Sequence, residues 1–287
     1  MLHSLQRLIM EDSQSTQFSW AYLTDTGVKR TSNEDAALAM VLNLDAYRDQ
    51  SFLGLFVVSD GMGGKERGEL ASKIAVKTIG EVFLNSFIRP ALLRVAEVVN
   101  YGSLSEESTG GIVVSPAQFL VESIQEANRR ICHVKRGGNR INIGATITVG
   151  IVSDDLLTIG HVGDCRCYLH YDNNFRQLTR DHSMVNELVK QGIISPEEGK
   201  AHPQRNVLAR ALGSSDVVEV DTYVSVVSSG CKILLCTDGL YTMLSEDSIQ
   251  AVMAQPKHPK ELVQELVART NDAGAKDNVT AMVIQIL

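Results

Sequence analysis

The sequence predicts an α+β sandwich, and three observations carry that expectation. Short apolar stretches of strand length recur along the chain, long stretches with apolar residues at helical spacing come in pairs, and no linker is long enough to force two domains. The 287 residues suffice to bury a sizeable core, and 44% hydrophobic with 21% charged residues is ordinary for a globular chain.

Taken in order, Phe18–Thr24 and Ala36–Leu44 read as strands on either side of a polar turn, Asp25–Asp35. Phe52–Ser59 is a continuous apolar run, as in a strand buried on both faces. It stops at Asp60-Gly61-Met62-Gly63-Gly64, expected to be a flexible loop. From about Arg67 to Val99, Leu70, Ile74, Val82, Phe83 and Leu93 recur at helical spacing, with a break at Pro90. Tyr101–Gly111 is Gly/Ser-rich and reads as a loop. The next helix starts with Ser115 as N-cap, Pro116 in the first turn and Gln118 completing a capping-box pattern. It should run to about Val134 and end at Gly137-Gly138.

Two hairpins follow, Ile143–Val152 with Leu156–Val162 across Ser153-Asp154-Asp155, and Cys165–Tyr171 with Phe175–Leu178 across Asp172-Asn173-Asn174. Asp181–Gly213 has sparse apolar residues and two short helices, the second begun by Ser195-Pro196-Glu197-Glu198. It reads as a small flap on the main body. Strands at Val217–Val226 and Lys232–Cys236, helices at about Glu246–Ala254 and Pro259–Asn271, and a final strand Val279–Leu287 complete the pattern.

A net charge of −7 argues against nucleic acid as the main partner, since phosphate backbones are gripped by basic faces. The five cysteines include no Cys-x-x-Cys pair, which fits buried thiols in a reducing compartment better than disulfides or zinc. Cys165 and Cys167 flank Arg166 at strand spacing and should share a packed face. Met1–Gln17 lacks the continuous apolar stretch of a signal peptide, and no run approaches the ~20 residues of a membrane span. The expectation is a cytoplasmic protein without a membrane partner, with residues 1–17 as an extension before one domain at 18–287.

The chemical signal is where the aspartates sit. Asp60 follows LFVVS, Asp164 follows TIGHVG, Asp238 follows ILLCT, and Asp277 precedes NVTAMVIQI. A single acid at the mouth of an apolar strand is commonly a turn-former or a helix cap. Four of them, three beside glycine (Gly61, Gly163, Gly239), point further. Acids gathered in one cleft repel each other unless cations lie between them, and oxygen-only ligands select Mg²⁺ or Mn²⁺. A second cluster, Arg30-Thr31-Ser32-Asn33-Glu34-Asp35, adds two acids and an arginine suited to gripping phosphate.

In order along the chain, RTSNED (30–35), VVSDGMGG (57–64), GATIT (144–148), HVGDCRCY (161–168), LTRDHS (178–183), LLCTDGL (234–240) and KDNVT (276–280) resemble the type 2C, or PPM, family of metal-dependent protein phosphatases in its bacterial form. Each segment is weak alone; the ordered set is specific. The resemblance implies a central antiparallel β-sandwich flanked by pairs of long helices, with a small flap at about 181–213. It implies a serine/threonine phosphatase acting on phosphoproteins, opposed to a serine/threonine kinase. Direct attack by a water activated at a binuclear Mg²⁺/Mn²⁺ centre is the implied reaction.

Position by position, Asp60 matches the carboxylate bridging both ions, and the Gly61 carbonyl a further ligand. Asp238 and Asp277 match the remaining direct ligands of one ion, and Glu34 the acid holding the other largely through water. Asp35 matches a residue supporting the bound waters, Arg30 the phosphate-binding arginine, and Asp164 the acid that with Asp238 holds a weaker third ion. The chain departs from the family in having Met62 where a histidine often serves as general acid. Cys165 stands where serine is usual and Lys65 where histidine is common, and neither removes a ligand.

Three rivals stand beside this reading. A phosphatase-like binding module without activity conflicts with the presence of every matched ligand. An aspartyl-phosphate enzyme using Asp60 would want a second acid two residues on, where Met62 stands. A small-molecule phosphatase on the same site is the third. Ser59 and Cys236 have no partner base in the sequence and are expected to pack. So are His161 and His182, despite lying in matching segments.

Overall fold

The computed structural model describes residues 8–11, 18–43, 52–89, 115–136 and 139–287. The chain opens with β1 (Leu8–Glu11), β2 (Phe18–Asp25), β3 (Asp35–Asn43) and β4 (Phe52–Met62). Helix α1 (Lys65–Phe83) follows and widens into a π-helical turn at Leu84–Ile88. Helix α2 (Pro116–Cys132) leads through the ribbon β5 (Lys135–Arg136) and β6 (Asn139–Arg140) to β7 (Gly144–Ala145). Then come β8 (Ile147–Ser153), β9 (Leu156–Val162), β10 (Arg166–Tyr171) and β11 (Asn174–Gln177). The flap carries α3 (Met184–Lys190) and α4 (Pro196–Ala201). The chain closes with β12 (Asp221–Val226), β13 (Lys232–Cys236), α5 (Asp238–Tyr241), α6 (Glu246–Met253), α7 (Pro259–Asp272) and β14 (Val279–Ile286).

Two antiparallel sheets stack face to face. One has the order β1-β2-β14-β13-β10-β11, the other β12-β9-β8-β4-β3 with β7 paired to the end of β4. Strand alternation sorts the side chains into layers. On β4, Phe56 and Val58 meet Phe18, Trp20, Met282 and Ile284 between the sheets. Leu55 and Val57 point the other way, against Ala75 and Ile79 of α1 and Leu120 and Ile124 of α2. Both faces of β4 are therefore covered, which is why its apolar run has no alternation. The outer face of the first sheet, with Leu234, Ala281 and Val283, is closed by Ile249 of α6 and Leu262 and Leu266 of α7. The result is the predicted sandwich between helix pairs.

The structure corrects several expectations. Asp60-Gly61-Met62 belongs to β4 instead of a loop, because Gly61 and Met62 pair with Ala145 and Gly144 of β7. The bend comes only at Gly63 and Gly64, both at positive φ. Ser115 and Pro116 do start α2, but no capping box forms, and the Gln118 side chain instead donates to Glu122 Oε1 at 2.8 Å. Val217–Asp221 was expected to begin a strand that in fact starts only at Asp221. Side chains of α2 hold the approach to it instead: Gln125 Nε2 donates to the Val218 carbonyl, and Asn128 Nδ2 to the Ser215 and Asp216 carbonyls just before.

The neighbouring strands β2 and β3 enter different sheets, and Leu8–Glu11 adds an edge strand that sequence reading did not foresee. The second hairpin turns on two residues, Asp172 and Asn173, both left-handed, as a tight hairpin requires. Helix α4 begins at Ser195-Pro196 as expected, with a capping box between Ser195 and Glu198. The helical run beyond Arg89, the Tyr101–Gly111 loop and the Gly137-Gly138 stop lie outside the described residues, as does most of residues 1–17.

The α1–α2 layer is held by an aromatic cluster, with Phe83 and Phe119 edge to face at 6.0 Å and both buried. Phe83→Ala is expected to lower stability by about 3–5 kcal/mol in urea unfolding, the usual cost of truncating a buried phenylalanine. A loss under about 1 kcal/mol would mean that this layer is not part of the core.

Candidate active site

The sandwich brings the four strand-end acids to one end of the two sheets. Asp60 sits near the end of β4, directly opposite Asp35 at the start of β3. Asp164 lies in the turn from β9 to β10, after Gly163 at φ 109°. Asp238 opens α5 behind β13, and Asp277 precedes β14. Glu34 adjoins Asp35 and Arg30 stands four residues earlier. The site thus draws on both sheets, and acids distant in sequence become neighbours.

Hydrogen bonds to backbone fix Asp60 and Glu34. The Asp60 N–H donates to Thr146 Oγ1 at 3.0 Å, and the Thr146 N–H donates back to the Asp60 carbonyl at 2.8 Å. Asn278 is the tie across the site: its Oδ1 accepts from the Glu34 N–H at 2.8 Å, while its Nδ2 donates to the carbonyls of Thr26 and Ser32. The Glu34 carbonyl accepts from Ser72 Oγ and from the Gly61 N–H. Two glycines permit that close approach. A Cβ at Gly68 would stand 1.9 Å from Glu34 Oε2, and one at Gly61 would stand 2.0 Å from the Gly68 carbonyl. Any side chain at either position would displace the acid or the helix that supports it.

The electrostatics are those of acids in excess. Burial pushes the Asp60 carboxyl well above the usual carboxylate range, and Asp35, Asp238, Asp164 and Asp277 each push it further. Burial raises Asp35 to about 7 and Asp164 to about 7, and with the repulsion of Asp277 raises Asp238 to about 6. Burial also raises Glu34, with Arg30 opposing. Arg30 Nη2 donates to Asp277 Oδ2 at 2.7 Å, so the arginine lies at the rim of the acid group with half of its side chain exposed.

These residues suit hard cations. Asp35 Oδ2 accepts from the hydroxyls of Thr237 and Thr280, at 2.8 and 2.7 Å, whereas the buried Asp35 Oδ1 has no partner in the structure. A buried acceptor left over beside other ionisable acids is what a cation with its water shell would satisfy. Among the described residues, no three His, Cys, Asp or Glu side chains form by themselves a group that could hold a metal ion. Mg²⁺-like ions keep several waters, so much of their coordination here would come from water rather than from side chains alone.

His161 and His182 are engaged elsewhere. His161 Nδ1 lies 2.9 Å from Thr148 Oγ1 and Nε2 3.2 Å from the Arg180 carbonyl, and burial lowers it to about 3. His182 Nδ1 accepts from the Gly163 N–H at 3.1 Å. The Ser59 hydroxyl donates to the Thr146 carbonyl, and all five cysteines are buried and joined by no disulfide. Sequence reading passed over Thr146, Thr237, Asn278 and Thr280. All four stand inside the matching segments, so the signal was present, but their roles exist only across the fold.

The family model described as protein phosphatase 2C matches residues 29–283. The chain belongs to that family. It is 31% identical over 265 residues to the serine/threonine phosphatase Stp of Listeria welshimeri, a match covering 92% of this chain and 94% of that one. A serine/threonine phosphatase of S. agalactiae superposes with a TM-score of 0.75 at 27% identity, covering 94% of this chain and 100% of the other. The catalytic domain of PstP, solved in complex with 2 manganese ions, gives 0.71 at 25% identity, covering 94% and 99%.

For this phosphatase 2C chain the acid cluster sets a pH dependence. The folded Asp35, Asp164 and Asp238 titrate near 6 to 7, above the ~4 of an unfolded aspartate. Their contribution to stability is full below about pH 4 and is lost as pH rises through about 7. Burial of His161, His170 and His182 lowers their pKa values and acts in the opposite direction, but only below about pH 6.5. In EDTA, Tm should therefore fall between about pH 6.5 and 8, and Mn²⁺ should restore it most at the upper end. A metal-free Tm that rises across that window contradicts this account.

Proposed function

We propose that this chain is a protein serine/threonine phosphatase, hydrolysing phosphoserine and phosphothreonine esters with two divalent ions, Mg²⁺ or Mn²⁺. One catalytic domain over residues 18–287 carries the activity. The observation that supports this most is the set of buried, mutually repelling carboxylates around Asp60, in a chain of the protein phosphatase 2C family. Asp60, the Gly61 carbonyl, Asp238 and Asp277 are the proposed ligands, with Glu34 acting mainly through water. Asp164 with Asp238 would hold a weaker third ion. Bound ions of this kind supply an activated water near neutral pH and balance charge on the phosphoryl oxygens.

The remaining work falls to the chain's own groups. Arg30 presents a planar fork of N–H donors, suited to two oxygens of a phosphoryl group, and its ion pair with Asp277 keeps it beside the acids. Asp35 offers Oδ1 as an acceptor for water, its other oxygen being fixed by two hydroxyls. Neither Ser59 nor Cys236, which adjoin the key aspartates, is available as nucleophile: the Ser59 hydroxyl is engaged, and burial pushes the Cys236 thiol up to about 12. In this reading water is the attacking group, with no covalent enzyme intermediate.

The substrates imply a serine/threonine kinase as the source of the phosphoprotein. Five buried cysteines joined by no disulfide support a cytoplasmic setting, and no described helix is long and apolar enough to cross a membrane.

The test is hydrolysis of a phosphothreonine peptide with Mn²⁺, with excess EDTA, and by Asp60→Asn with Mn²⁺. EDTA should abolish turnover and Asp60→Asn should lower kcat at least about 100-fold. Turnover that survives either would overturn the metal mechanism. A folded wild-type chain inert on several phosphopeptides would favour a binding module.

A further inference from the structure

We propose that Arg166 is a positioning residue for peptide substrates, fixing the root of the flap against the two acid-bearing turns through Asp181 and Tyr241. The inference rests on the phosphatase reading. Arg166 lies on β10, two residues after Asp164, and reaches two other parts of the chain as well as a neighbour on its own strand. Its Nε donates to Asp181 Oδ1 at 3.0 Å and Oδ2 at 3.1 Å, and its Nη2 donates to Asp181 Oδ2 at 2.7 Å. Its Nη1 donates to the Tyr168 hydroxyl at 2.9 Å. The guanidinium carbon stands 3.6 Å from the centre of the Tyr241 ring. The Tyr241 hydroxyl in turn donates to the Asp164 carbonyl at 3.0 Å.

Asp181 is where the flap leaves the main body. Its carboxylate also accepts from Gln177 Nε2 at 3.0 Å, and its carbonyl accepts from Asn186 Nδ2 of α3 at 2.9 Å. The next residue, His182, donates its N–H to the Gly163 carbonyl at 2.7 Å. The flap root, the Gly163-Asp164 turn and the Tyr241 end of α5 are thus joined through one guanidinium.

Packing alone does not account for this arrangement. The Arg166 and Asp181 side chains are only 21% and 12% exposed, and an ion pair that buried is a poor source of stability compared with apolar contacts. What a guanidinium supplies instead is direction, because its plane and fixed fork set the angle of each partner. The flap needs such a strut. Helix α3 buries only Val185, so little apolar packing sets the orientation of that helix. A peptide extending past its phosphorylated residue would meet the flap, whereas a small aryl phosphate would occupy the acid cleft alone. Arg166 should therefore govern peptide recognition without governing the chemical step.

The experiment compares Arg166→Lys, Asp181→Asn, Asp181→Glu and Tyr241→Phe with wild type. Each is assayed on a phosphothreonine peptide and on p-nitrophenyl phosphate at saturating Mn²⁺, with thermal unfolding as the control for folding. Arg166→Lys and Asp181→Asn should raise the peptide KM about tenfold, while KM and kcat for p-nitrophenyl phosphate stay within about twofold. Asp181→Glu should recover part of the loss. Tyr241→Phe, which keeps the ring, provides a folded variant with a smaller shift in the same direction. Equal losses on both substrates, or an unchanged peptide KM in folded variants, overturn the inference and leave the phosphatase reading standing. A wild-type chain that turns over neither substrate overturns that reading, and this inference with it.

Discussion

The mutual repulsion of carboxylates held out of water governs this structure. Asp35, Asp60, Asp164 and Asp238 are all raised first by burial and then by neighbouring aspartates. An isolated protein has two ways to live with such a cluster: protonate it, or place cations within it. Protonation costs the site its use at neutral pH. Cations turn the same repulsion into binding free energy, which makes the acid group a poor structural element and a good metal site.

Much of the fold can be traced from that constraint. The acids must be close, so they lie at the ends of strands from both sheets, where the sandwich edge is open and a turn can be tight. They must also be rigid, so their backbones are paired with Thr146 and Asn278, groups that lie far away in sequence. Glycine at 61 and 68 lets β4, the Glu34 backbone and the start of α1 approach more closely than any side chain would allow. The three hydrophobic layers hold the sheets and helices that carry these turns. Fold and site are coupled through a few polar contacts at the end of an apolar stack.

The acids themselves were legible, because an aspartate ending a run such as LFVVS or ILLCT breaks the apolar pattern conspicuously. So were most strands and helices, whose periodicity is local. Contacts that join distant segments were not legible. Nothing near Asn278 shows that it bonds Glu34, and nothing near Tyr241 shows that it stacks on Arg166. The same reason explains the smaller errors. Gly61 and Met62 resemble a loop until β7 is known to pair with them, and the stretch from Val217 resembles a strand until Gln125 of α2 claims the Val218 carbonyl and Asn128 the two just before it. Ser115 had every local mark of a capping box, yet Gln118 found a partner one turn further along.

The most direct test of the account is calorimetric titration of Mn²⁺ into the metal-free chain near pH 7, in two buffers of different ionisation enthalpy. Ions that replace protons on a repelling acid cluster should bind with release of about one proton or more per chain, and Asp60→Asn should remove most of that heat. Binding without proton release, or binding indifferent to Asp60, would contradict it.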